Sequence, residues 1–93
     1  MKTITKYLDE LGGLVRDIRL SKIQPDKFVE EFLAAMGSIY ELANNWPAGF
    51  LNAYSKLTRL VIEYEQNPNL EGVGKIGNAL VAFRTAALNI SAA

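Results

Sequence analysis

Apolar residues recur along this chain at three- and four-residue intervals, and three prolines interrupt the rhythm at Pro25, Pro47 and Pro68. The spacing predicts four helices, at about 3–21, 25–44, 47–66 and 70–90. In the first, Ile4, Tyr7, Leu8, Leu11, Leu14, Val15 and Ile18 share one face. Thr3 or Thr5 can cap its start, and Gly12-Gly13 mark either a kink, a close approach or a tolerated pair. The second begins at Pro25, whose missing N–H suits a first turn. Asp26 follows, where negative charge meets the positive end of the helix dipole. Phe28, Phe32, Ala35, Met36, Ile39 and Ala43 form its stripe, Val29, Leu33 and Tyr40 widen it, and Asp26, Glu30 and Glu41 share the opposite face.

The third segment places Phe50, Ala53, Tyr54, Leu57, Leu60, Val61 and Tyr64 inward, and Asn52, Lys56, Arg59 and Glu63 outward. Leu51, Thr58 and Ile62 add a second, shorter apolar edge. Asn67-Pro68-Asn69 stops it, because proline disfavours helical geometry in the residue before it. The fourth carries Val73, Ile76, Leu80, Phe83, Ala87 and Ile90 on its stripe. Its far side (Lys75, Asn78, Ala82, Thr85, Asn89) is small and weakly charged for a solvent face. Either the other three helices surround it, or its outer side meets a second chain. Short connections make sequential helices antiparallel. The expected fold is all-α, an antiparallel four-helix bundle forming a single domain over residues 1–93. No useful period-two alternation predicts a sheet, and no internal repeat predicts a solenoid.

Composition narrows the function classes. Ninety-three residues suffice for one modest core, and 49% hydrophobic residues argue against disorder. Net charge is zero, which argues against a nucleic-acid binder. The balance is uneven: residues 1–71 hold eight basic and ten acidic groups, and residues 72–93 hold only Lys75 and Arg84. With no Cys and no His, thiolate chemistry, disulfides and the usual zinc sites drop out. Neither a signal peptide nor a spanning run of about 18 apolar residues is evident, so a cytoplasmic location is expected.

Gly72-Val73-Gly74-Lys75-Ile76-Gly77 matches G-x-G-x-x-G, but a dinucleotide site needs a strand before it and a crossover after it. Asn67–Glu71 is no strand, so the glycines read as a helix start with small residues at a packing contact. An anion at that helix end is the functional alternative. The carboxylates fall mainly on outer faces, and neighbours such as Asp9-Glu10 and Glu30-Glu31 diverge by about 100° around a helix. No catalytic, cofactor-binding or metal-ligating residue is therefore assigned, and no enzyme is expected. Trp46, in the second turn, either anchors a partner, caps one end of the bundle, or staples against Phe50. The candidate partner-binding residues are the acidic ones: Asp26, Glu30 and Glu41 on helix two, and Glu63, Glu65 and Glu71 around the third turn.

The run Leu20-Ser21-Lys22-Ile23-Gln24-Pro25-Asp26-Lys27-Phe28-Val29-Glu30-Glu31-Phe32-Leu33 resembles the first inter-helix junction of colicin-D-type bacterial immunity proteins. The stretches 60–65 and 80–88, with Arg84, echo the last two helices of that family. The resemblance implies a small helical bundle that binds and blocks a cognate toxin, and it transfers no individual contact residue. The neutral charge departs from the acidic character such inhibitors use against cationic nucleases. The leading expectation is thus a non-enzymatic protein-interaction module, in its most specific form a toxin-neutralising immunity protein. The alternative is a structural or regulatory homodimer joined through helix four and the wide apolar face of helix two.

Overall fold

A computed structural model describes residues 3–92, and its four helices are α1 (Ile4–Arg19), α2 (Pro25–Leu42), α3 (Ala48–Gln66) and α4 (Leu70–Ala92). Residues 1, 2 and 93 lie outside the described residues, with the part of the N-terminal reading that rests on them. Each helix packs on its sequence neighbour, and α1 also packs on α4, closing an antiparallel four-helix ring. α3 and α4 share the most extensive of the four seams, and α2 and α3 the thinnest. The radius of gyration is 12.5 Å, close to the ~12 Å expected for a compact chain of this length.

Local chemistry sets the boundaries. The Thr3 hydroxyl accepts from the Lys6 backbone N–H at 3.3 Å, choosing Thr3 over Thr5 as the cap. α1 runs unbroken through Gly12-Gly13 and ends two residues before the expected Ser21. There the Lys22 N–H reaches the Asp17 carbonyl at 2.8 Å and the Ser21 N–H reaches Ile18 at 3.2 Å. This is a Schellman closure, and it holds Ser21 at φ 57°, the left-handed position usually given to glycine. α2 begins at Pro25 as expected but releases at Ala43, where ψ turns to 137°. Pro47 is the N-cap of α3 rather than its first helical residue. Asn69 starts α4: its Oδ1 accepts from the Gly72 N–H at 2.7 Å.

The core is one continuous apolar cluster, and no polar side chain is buried in it among the described residues. Phe28, Phe32, Phe50 and Phe83 are its largest fully enclosed side chains. Phe28 meets Phe32 at 5.3 Å between ring centroids, and Phe50 meets Phe83 at 5.6 Å. Such large apolar areas removed from water dominate the stability of a bundle this size. By contrast, Arg16–Asp17, Lys27–Glu30, Lys75–Glu71 and Arg84–Asp9 are ion pairs on the surface, at 3.5–3.8 Å, and exposed pairs contribute little.

Two sets of alternatives are narrowed. α4 is not surrounded: it occupies a corner of the ring, and Lys75, Asn78, Ala82, Thr85 and Asn89 are all exposed. Trp46 does not pack on Phe50, which is enclosed beside Tyr54 and Phe83. Its ring stacks on Tyr40 at 5.3 Å, and its indole N–H donates to the Tyr40 carbonyl at 3.1 Å. That contact ties the second turn to the last turns of α2.

Candidate functional site

The helical period of α2 divides its side chains among three neighbours. Its core stripe is enclosed. One flank (Glu31, Ala34, Ser38) faces α1 across an open groove of about 420 Å³ that Tyr7, Glu10, Leu14 and Asp17 also line. The other flank faces α3, as the rings show: Phe28 meets Tyr64 edge-on at 5.5 Å, and Tyr40 meets Tyr54 at 5.4 Å. The first turns of α2 therefore stand beside the last turns of α3. Between flanks lie Asp26, Glu30 and Glu41, all exposed. α2 holds four carboxylates, at Asp26, Glu30, Glu31 and Glu41, against the single Lys27. That is a net of −3 on one helix of a neutral chain.

The six candidate residues do not converge. Asp26 and Glu30 border the α2–α3 seam near the end where Glu65 stands on the α3 flank. Glu30 also lies 3.8 Å from the Lys27 ammonium. Glu41 shares their stripe, about 16 Å further along the axis at 1.5 Å per residue. Glu63 and Glu71 belong to a different groove, about 270 Å³, between α3 and α4, where Glu71 pairs with Lys75 at 3.6 Å. Among the described residues no set of three or more carboxylates is placed to hold a metal ion.

The G-x-G-x-x-G run lies inside α4, not between a strand and a helix. A Cβ on Gly72 would meet the Tyr64 ring at 3.2 Å, and one on Gly77 would meet the Arg19 guanidinium at 2.9 Å. Both glycines therefore permit close packing, and the Gly72 N–H is already taken by Asn69. The divergence of adjacent acids is seen directly: Asp9 turns to Arg84 on α4, and Glu10 lines the α1–α2 groove.

No protein-family model, curated protein or solved structure matches this chain. Its surface must carry the functional argument, and two features stand out beyond the sequence expectations. One is the acidic lining of the α1–α2 groove, where Glu10, Asp17 and Glu31 border small side chains. The i, i+7 spacing of Glu10 and Asp17 was its visible signal. The other is the apolar α2–α3 seam. Tyr40, Leu51 and Ile62 are 38%, 39% and 42% exposed, and Leu33 and Tyr54 are half-buried beside them. Burial pushes the Tyr54 hydroxyl above its ordinary pKa, with Tyr40 adding to the rise, and burial also raises Tyr64. Thr58 Oγ1 is buried on this flank without a hydrogen-bond partner. No described helix is long and apolar enough to cross a membrane.

Proposed function

We propose that this chain is a non-catalytic protein-binding module of the cytoplasm that engages a basic surface of another protein through its α2 side. In its most specific form it is a toxin-neutralising immunity protein, as the Leu20–Leu33 junction resemblance implies. One observation carries the reading: α2 holds a net −3, and its Asp26 and Glu30 stand on the side of an exposed apolar seam, while Glu31 faces α1. Charge steers a basic partner and fixes its orientation, and apolar side chains that become buried supply most of the affinity. Overall neutrality does not weaken this, because a local charge excess, not net charge, faces the partner.

The test is a Glu30→Lys, Glu41→Lys double variant assayed for association with the cognate toxin in co-expression and by calorimetry. Loss of association with an unchanged circular dichroism spectrum supports the reading. Association that ignores both the reversal and added salt overturns it.

A second reading, the homodimer, draws on α4. Between Asn78 and Asn89 its one charged side chain, Arg84, is turned to Asp9 on α1, and Val81 is 67% exposed. A neutral face can meet its own copy without like-charge repulsion. Sedimentation of the wild type beside Ala82→Glu tests it: a dimer that the variant splits supports this reading, and a monomer at every concentration removes it.

A further inference from the structure

We infer that the α2–α3 seam is a receptor groove for one amphipathic helix of the partner, with basic residues at the end beside Asp26, Glu30 and Glu65. The inference rests on the protein-binding reading above and names what the site holds.

The seam is the least closed of the four. Leu33 and Tyr40 stand on its α2 side, and Leu51, Tyr54 and Ile62 on its α3 side. The widened stripe of α2 and the second apolar edge of α3 thus face the same furrow. A shallow hollow of about 590 Å³ lies on the surface of α3, lined by residues of that helix alone, Tyr54, Thr58 and Ile62 among them, and bordered by Arg59 and Glu63. The unpartnered Thr58 hydroxyl lies in that flank. From Leu51 to Ile62 the furrow runs about 16 Å, three helical turns. That length matches anchors at i, i+4, i+7 and i+11 on an incoming helix.

A helix fits where a strand does not. The residues that frame the furrow sit within α2 and α3, where helical backbone groups bond within their own helix and offer no edge for strand addition. Two antiparallel helices leave a ridged furrow into which a third packs side chains at an interaxial distance of about 8–10 Å. Charge then selects the sequence. Asp26, Glu30 and Glu65 are exposed on the helix ends that the Phe28–Tyr64 contact sets side by side, with Lys27 paired to Glu30, whereas the other end is closed by the Tyr40–Trp46 stack. An occupant with Lys or Arg on the turn nearest Asp26 satisfies both ends, and an acidic one is repelled.

Trp46 is the only tryptophan and is 44% exposed at the aromatic end of the furrow, so its emission reports occupancy. The probe is a synthetic 18-residue amphipathic helix with leucines at i, i+4, i+7 and i+11 and lysines on one terminal turn. A matched peptide carries glutamates instead. Expected is saturable perturbation of Trp46 emission by the lysine peptide, at least tenfold tighter than by the glutamate peptide at low salt. Ile62→Glu and Leu51→Glu should each weaken it at least tenfold, and Val81→Glu on α4 should not. Both seam positions are partly exposed, so the variants are expected to fold, and circular dichroism checks this.

Absence of saturable binding by the lysine peptide, or binding indifferent to Ile62→Glu, overturns the groove. If the groove fails while Glu30→Lys, Glu41→Lys still abolishes toxin association, the protein-binding reading stands and only the helical occupant falls. A doubled solution mass that Ile62→Glu returns to monomer assigns the furrow to a second copy and also overturns the inference.

Discussion

Three helical glycines test how much of this sequence is chosen for folding alone. Gly12, Gly37 and Gly74 lie within α1, α2 and α4, and a Cβ at any of them meets nothing within 4 Å. None has a positive φ, so alanine fits the existing backbone. Glycine in a helix interior costs about 0.8–1.0 kcal/mol relative to alanine, because more chain entropy is lost on folding. Each substitution should therefore stabilise the bundle by about 0.8 kcal/mol. The sites lie on different helices and share no contact, so the triple variant should gain about 2.5 kcal/mol by near-additivity. At about 4–8 °C per kcal/mol for a domain of this size, Tm should rise by roughly 10–20 °C. Gly72→Ala is the internal control. Its new methyl would stand 3.2 Å from the buried Tyr64 ring, so packing strain offsets the propensity gain. Urea denaturation followed by circular dichroism measures all four variants. A triple variant no more stable than wild type, or a Gly72→Ala gain equal to that of Gly12→Ala, would refute the reasoning. Gly37 also lies on the outer surface of α2, between Glu30 and Glu41. A stabilised Gly37→Ala that binds its partner less well would show the glycine is kept for a close approach.

Three further outcomes are expected. Ser21→Gly should stabilise by about 0.5–1 kcal/mol, since glycine carries no Cβ penalty in the left-handed C′ position, and Ser21→Val should destabilise by at least as much; thermal melts decide. Thr58→Val should be neutral or slightly stabilising, because it replaces a buried hydroxyl without a partner by an isosteric methyl; a loss above about 1 kcal/mol in urea melts would mean the hydroxyl is satisfied. The raised pKa values of Tyr54 and Tyr64 make the folded state hold its protons longer than the unfolded chain. Stability should therefore be fully present below pH 10, the ordinary tyrosine value, and fall as pH rises beyond it. Tyr64→Phe should flatten part of that decline in denaturation midpoints taken from pH 8 to 11.5.

The architecture was largely legible before the structure. Periodicity and prolines placed all four helices, because core spacing and helix breaking are local properties. The errors came where local signals compete. Nothing in Ser21 announces a left-handed closure, and it takes the backbone bonds from Lys22 and Ser21 to define one. The weak solvent face of α4 fitted either a surrounded helix or one that meets a second chain, and only the four-membered ring, which leaves every helix one open side, removes the first. The candidate site was less legible for a similar reason. Single-helix wheels showed Asp26, Glu30 and Glu41 together, but which carboxylates meet across a seam depends on helix rotation. Glu31 and Glu10, adjacent to residues of opposite fate, lie in one groove only after packing. The widened edges of α2 and α3 were each visible alone, and the sequence held no sign that they would face the same furrow.

The ring order also governs the way the chain assembles. α1–α2 and α3–α4 are hairpins whose contacts are close in sequence, and such local pairs form quickly. The ring closes through α1–α4, where Arg84 reaches Asp9. Joining segments some 75 residues apart costs about 4 kcal/mol of loop-closure entropy before any contact repays it. With α2 and α3 contributing the thinnest seam, the two hairpins have little else to hold them in register until that closure. The α1–α4 seam, including the Arg19 side chain laid over Gly77, is therefore expected to limit the rate of folding, although it lies on the far side of the molecule from the α2–α3 furrow.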